Sequence, residues 1–181
     1  MVELMTVEEI ADYLRVTKKT IYRLLKQSKI PATKVGNQWR FDKSSIDDWL
    51  QRSSVGADAN ILVIDDEEVI RALFKQTLEE LGHSVIAVET SSEGLELVKQ
   101  QDFDLAFLDL KMPGMDGAEF FHQIKTIKPK LPVTIITGYP DSDMMARALA
   151  QGPFGVMNKP LGESDIITAV ANFLGIIQKG R

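Results

Sequence analysis

Cysteine is absent from the 181 residues, which excludes disulfides and thiolate metal sites and accords with a reducing compartment. No apolar run approaches the ~20 residues that a bilayer span requires. The stretch Met1–Ile10 carries Glu3, Glu8 and Glu9 and lacks an apolar core, so no export signal is expected and the protein is expected in the cytoplasm. Internal repeats and low-complexity tracts are also missing. What is present is 44% hydrophobic and 26% charged residues, the composition of a globular chain with material for a real core and no membrane partner. The net charge of −5 taken alone argues weakly against a nucleic-acid partner.

That average conceals a division. Residues 1–52 hold ten basic and seven acidic residues, a net +3, which leaves the remainder at −8. Within Arg15–Lys43 nine basic residues face one acid, Asp42. Opposite signs in two segments point to two modules with different partners. Ser53-Ser54-Val55-Gly56-Ala57-Asp58 between them is small and polar, a short linker over 53–58.

The acidic segment alternates apolar β-rich runs (Ile61–Ile64, Ser84–Val88, Leu105–Leu110, Val133–Thr137, Phe154–Met157) with stretches of helical periodicity. Such alternation predicts a five-stranded, doubly wound parallel sheet covered by helices on both faces. In such sheets reactive loops lie at the carboxyl ends of the strands. Asp65 and Asp66 close the first predicted strand, Asp109 the third and Thr137 the fourth, while Lys159-Pro160 follows the fifth. Clustered carboxylates repel and need a cation. An oxygen-only cavity with few fixed ligands suits Mg²⁺ beside a phosphate. Lys159 can neutralise a phosphoryl oxygen, and the Thr137 hydroxyl can donate to another. A lone Asp after a strand is as often a helix cap, so it is the joint occurrence that carries weight. Asp116 reads as a cap of the next helix, and Glu67 and Glu68 as charges favouring a helix N-terminus.

Residues 60–178 resemble the receiver domain of two-component response regulators. The resemblance rests on Ile61-Leu62-Val63-Ile64-Asp65-Asp66-Glu67, on Leu108-Asp109-Leu110-Lys111-Met112-Pro113-Gly114-Met115-Asp116-Gly117, on Thr137-Gly138, and on Lys159-Pro160. It implies a flavodoxin-like α/β fold and Asp109 as phosphoacceptor for a sensor histidine kinase. It also implies Mg²⁺ held by Asp65, Asp66, Asp109 and the Lys111 backbone carbonyl, with Thr137 as switch hydroxyl and Lys159 as counter-charge. One departure stands out. The aromatic that the family usually carries three residues before the lysine is Val156 here. Phe154 reads as core.

The basic segment opens with Thr6-Val7-Glu8-Glu9, a capping-box pattern. Arg15-Val16-Thr17 then reads as a turn leading to a second helix over Lys18–Ser28, which buries Ile21, Leu24 and Leu25. Two short helices so joined read as helix-turn-helix. Gly36-Asn37-Gln38 marks a hairpin between Thr33-Lys34-Val35 and Trp39-Arg40-Phe41, and Ser44/Ser45 read as caps of a last helix. Trp39 and Trp49 are expected in the core. The string is similar to the excisionase-type, MerR-like winged helix-turn-helix family over residues 3–52. That resemblance implies Lys18, Lys19, Thr20, Tyr22 and Arg23 facing DNA from the recognition helix, and Lys34, Gln38 and Arg40 from the wing, on phosphates and the minor groove.

The expected organisation is thus a winged helix-turn-helix at 1–52, a linker at 53–58 and a receiver at 59–181. The expected function is a response regulator whose phosphorylation, and the homodimer it promotes, control DNA binding and transcription. The rival is a phosphorylation-controlled docking module whose N-terminal domain binds a protein. An enzyme acting on an external substrate is least supported, since no further catalytic constellation remains.

Overall fold

A computed structural model describes residues 4–26, 30–53 and 58–177. Contacts divide the chain into two units, one of Asp58–Ile167 and one joining Met1–Ala57 to Thr168–Arg181.

The first unit runs β1 (Leu4–Met5), α1 (Val7–Tyr13), α2 (Lys18–Lys26), β2 (Thr33–Val35), β3 (Gln38–Asp42) and α3 (Lys43–Ser53). Its antiparallel sheet has the order β1-β3-β2. The capping box forms: Glu9 N–H donates to Thr6 Oγ1 at 3.2 Å and Thr6 N–H to Glu9 Oε2 at 2.8 Å, relieving two orphan donors. Arg15 takes φ 52° in the turn after α1, and Thr17 Oγ1 accepts from Thr20 N–H at 3.3 Å at the start of α2. Gly36, at φ 62°, supplies the left-handed residue of the two-residue turn that sets Val35 opposite Gln38. Ile10, Leu14, Ile21, Leu24, Phe41, Ile46 and Trp49 form the small core.

Three sequence expectations are corrected here. The cap of α3 is Asp42, whose Oδ2 accepts from Ser45 N–H at 3.0 Å and from the hydroxyls of Ser44 and Ser45 at 2.7 and 2.6 Å. A charged acceptor one residue before the helix outcompetes the neutral hydroxyls. Trp39 is only half-buried, with Lys34 Nζ 5.8 Å from its ring centroid. Leu25 is likewise partly exposed.

The second unit carries β4 (Asn60–Ile64), α4 (Glu68–Glu80), β5 (Ser84–Val88), α5 (Ser91–Gln100), β6 (Leu105–Asp109), α6 (Gly117–Ile127), β7 (Val133–Thr137), α7 (Asp143–Ala150), β8 (Gly155–Asn158) and the start of α8 (Glu163–Ile177). All five strands are parallel in the order β5-β4-β6-β7-β8. Strand pairs with both faces covered need continuous apolar runs, and β6 and β7 are buried at every position. Leu62, Ile64, Ala106 and Leu108 pack with Val98 of α5, Phe120, Phe121 and Ile124 of α6, and Met145 and Ala148 of α7. On the opposite face Phe74 of α4 meets Phe107, with ring centroids 4.7 Å apart. The chain leaves β4 toward β5 and returns through β6 on β4's other side, so the carboxyl ends of β4 and β6 flank the topological switch point.

The described part of Thr168–Arg181 groups with the N-terminal unit, whereas the sequence assigned it to the receiver. Asn172, fully buried, donates through Nδ2 to the Leu14 carbonyl at the end of α1. The linker positions 54–57, the expected end of the second helix at 27–29, and residues 178–181 lie outside the described residues. Among the described residues no helix is long and apolar enough to cross a membrane.

Glycine 117 opens α6 against the backbone of Leu110: a Cβ there would lie 2.2 Å from the Leu110 carbonyl oxygen. A Cβ at Gly94 would instead meet the flexible Ile64 Cδ1 at 2.7 Å. Gly117→Ala should therefore destabilise by about 3 kcal/mol and Gly94→Ala by about 1 kcal/mol. Urea unfolding of the two variants, with unchanged slope, checks the order.

Candidate functional site

Asp65, Asp109 and Lys159 converge because Asp109 ends β6 while Asp65 and Lys159 come directly after β4 and β8, all at the carboxyl edge of the one parallel sheet. Lys159 Nζ lies 2.7 Å from Asp109 Oδ2, 3.1 Å from Asp65 Oδ2 and 2.6 Å from Glu67 Oε1. Asp65 and Asp109 are buried at 0% and 3% exposure, whereas Glu67 is exposed. Burial alone would favour the neutral amine of Lys159, but the hydrogen bonds it donates to Asp109, Glu67 and Asp65 outweigh burial and hold the amine above the ordinary lysine range. Burial pushes the Asp65 carboxyl up, and the Glu67 N–H and Lys159 offset part of that shift.

Backbone donors fix the carboxylates further. Glu67 N–H donates to Asp65 Oδ1 at 2.8 Å, and Lys111 N–H donates to Asp109 Oδ1 at 2.9 Å. Arg71, one turn into α4, donates through Nη1 to the carbonyls of Asp65 and Asp66 at 2.9 and 2.8 Å. It therefore clamps the loop that carries both acids. Thr137 ends β7 and is buried, its hydroxyl oxygen accepting from Tyr139 N–H at 2.9 Å. Lys111 Nζ sits 3.8 Å from the Tyr139 ring centroid. Val156 is half-buried against the α5–α7 core, and Phe154 is buried. Lys159-Pro160 is cis.

A cavity of about 410 Å³ opens over this group, lined by Asp66, Glu67, Asp109, Lys111 and Lys159 among others. Carboxylate oxygens of Asp65, Glu67 and Asp109 lie within 4.8 Å of one another. This hard, oxygen-only donor set around a partly open cavity fits a divalent cation that keeps part of its water shell. Asp66 borders the cavity, but Glu67 completes the close cluster. The sequence reading had placed Glu67 at the helix N-terminus for its charge alone. It does precede α4, yet its side chain caps nothing there and turns to Lys159. Arg71 was also missed; its only sequence signal is a basic residue one turn after the acidic pair. Asp116 behaves as expected, capping α6 through Ala118 N–H and Glu119 N–H, and it pairs with Arg147 of α7 at 2.5 Å.

In the N-terminal unit Lys18, Lys19, Tyr22, Arg23 and Lys26 are exposed on α2. Lys18 Nζ pairs with Glu8 at 2.9 Å. Thr20, by contrast, is 4% exposed and shares a 3.1 Å hydrogen bond with Thr17 Oγ1. It helps to close the turn and does not project with the cations. On the wing Arg40 donates to Gln38 Oε1 at 2.6 Å and to the Trp39 carbonyl at 3.0 Å. Register puts Thr33, Val35, Gln38 and Arg40 on one face of the hairpin, and Lys34 with Trp39 on the other.

The response regulator receiver domain model matches residues 61–171. The chain belongs to that family. A helix-turn-helix domain model matches residues 4–54 of this receiver protein. Over 116 residues the chain is 31% identical to the transcriptional regulatory protein GlrR of Escherichia coli (strain K12), covering 64% of this chain and 26% of that protein. It is 37% identical over 111 residues to the DNA-binding transcriptional regulator NtrC of the same organism, covering 61% of this chain and 23% of NtrC. The chain thus spans about a quarter of the length of these regulators. Sporulation initiation phosphotransferase F of Bacillus subtilis (strain 168) is 32% identical over 114 residues, 63% of this chain and 92% of that protein. The CheY-like receiver domain protein of Methanospirillum hungatei JF-1 superposes with TM-score 0.65 at 28% identity, covering 69% of this chain and all of that one.

Removing the receiver's ammonium leaves two buried carboxylates facing each other. Lys159→Met should cost about 3 kcal/mol at neutral pH. Magnesium chloride should recover part of the loss by binding the folded state. Urea unfolding with and without the salt measures both.

Proposed function

We propose that the chain is a DNA-binding response regulator in which aspartyl phosphorylation of the receiver controls the N-terminal reader. The observation that carries the proposal is Asp109, a buried carboxylate at the switch point, held 2.7 Å from Lys159 and open to the cavity, in a chain whose other module is basic and helix-turn-helix. An Asp109 carboxylate oxygen attacks the phosphorus of a phosphohistidine on a sensor histidine kinase. The P–N bond breaks, the imidazole leaves with a proton, and an acyl phosphate remains on Asp109. Bound Mg²⁺, held by Asp65, Asp66, Asp109 and the Lys111 carbonyl, would supply charge neutralisation for the phosphoryl group. Lys159 pairs with one phosphoryl oxygen, and the Thr137 hydroxyl, whose oxygen accepts from Tyr139 N–H, turns its O–H to donate to another. This two-state change is the switch. No external substrate is turned over.

Lys18, Lys19, Tyr22 and Arg23 of α2 and Lys34, Gln38 and Arg40 of the wing meet DNA. Thr20 contributes through the turn, not through contact. A reader of this size offers little area, so phosphorylation acts by pairing two copies on adjacent half-sites, in the cytoplasm, where kinase and DNA are both accessible.

Asp109→Asn should take up no phosphoryl group from acetyl phosphate with Mg²⁺, since the amide is a poor nucleophile; undiminished labelling removes Asp109 as acceptor. In the 181-residue chain Arg23→Ala should lose ~1–3 kcal/mol on a specific duplex, whereas Arg40→Ala should weaken specific and scrambled duplexes alike and lower the salt slope by about one. Salt titrations of fluorescence anisotropy read both effects. A folded 181-residue chain that shows no salt-dependent binding to any duplex would sink the DNA reading and leave the protein-docking one.

A further inference from the structure

Lys159 is surrounded by three carboxylates, and the receiver chemistry accounts for only two. Asp65 and Asp109 are buried and fixed by backbone donors. Glu67 is different: its side chain is 56% exposed, the nearby helix makes no use of it, and it still makes the shortest contact to the ammonium, 2.6 Å. An exposed glutamate gains little from an ordinary surface pair. Here the partner side chain is 16% exposed and already holds two acids, so water screens the lysine end of the pair less than in an ordinary surface pair. Glu67 also reaches the cavity that Asp109 faces.

We propose that Glu67 is a positioning residue that acts as an internal counter-anion, occupying on Lys159 the seat that a phosphoryl oxygen must take. The proposal rests on the reading of Asp109 as phosphoacceptor. Two consequences of opposite sign follow from one charge. For a divalent cation, Glu67 adds negative potential to the cluster and takes part of the ammonium's charge that would otherwise oppose the ion, so it favours binding. For a tetrahedral anion on Asp109, the same carboxylate competes for Lys159 and repels the incoming charge. Glu67 thus holds the unmodified receiver ready for the cation and resists the anion until it swings into solvent, which its exposure permits. A role confined to shaping the loop would shift both ligands in the same direction.

The experiment uses the whole 181-residue chain and two variants, Glu67→Gln, which keeps shape and removes charge, and Glu67→Ala, which removes both. Mg²⁺ alone is titrated calorimetrically, and beryllofluoride, a mimic of the phosphoryl group, is then titrated at saturating Mg²⁺. In both variants the Mg²⁺ Kd should rise about threefold to tenfold and the beryllofluoride Kd should fall by a similar factor. Thermal midpoints should stay near wild type, because the residue is exposed. Parallel shifts of the two ligands, or no shift in either, overturn the proposal. Wild-type protein that binds Mg²⁺ but takes neither beryllofluoride nor acetyl phosphate defeats the phosphoacceptor reading itself, and this proposal with it. Normal uptake by wild type with unaltered variants defeats the Glu67 proposal alone.

Discussion

One ammonium among three carboxylates governs the receiver. Two buried acids at adjacent strand ends cannot both ionise in a dry site without a cation, and Lys159 supplies it within hydrogen-bond distance of each. The rest of the unit serves that arrangement. The parallel order β5-β4-β6-β7-β8 brings the ends of β4, β6 and β8 into one region, and helices covering both faces of the apolar strands hold that sheet together. Arg71 then fixes the loop after β4 by holding two successive carbonyls. The three carboxylates and the one ammonium hold each other by mutual attraction, so the positions of all four are coupled.

The N-terminal unit is built on another principle. With few residues to bury, it relies on local devices: a capping box on α1, an Asp42 cap on α3, and a glycine turn between β2 and β3. These satisfy backbone groups without drawing on core area. The cations of α2 stay exposed as a result, and those of the wing are steered by neighbours. Arg40 is held by the Gln38 side chain, and Lys34 lies over Trp39. Pre-ordered side chains lose less entropy on meeting a ligand. The net charge is of opposite sign on the two sides of residue 52, so the two modules differ electrostatically as well as in fold.

Strand runs, helix periodicity and turn glycines were legible because they are local: each depends on residues within one element, and each recurs in the structure within a residue or two. Asp109, Asp65 and Lys159 were legible too, because strand ends in a parallel sheet have predictable neighbours. Glu67 and Arg71 were not. Their roles depend on where a side chain points after the strand has ended, and a charged residue at a helix start has several uses of similar energy. Thr20 failed for a related reason: a threonine early in a helix can face a groove or close its own turn, and the Thr17 hydroxyl decides between them.

The amino-acid order by itself determined the two-module plan, the parallel sheet and the acid–lysine constellation, since hydrophobic period, charge segregation and strand-end chemistry are properties of the chain. Only the tertiary structure decided which carboxylate completes the cluster, which cations of the reader stay exposed, and that Asn172 closes on the Leu14 carbonyl. Those outcomes are settled by competition among partners distant in sequence, where burial removes water as the alternative and a difference of one hydrogen bond selects the winner.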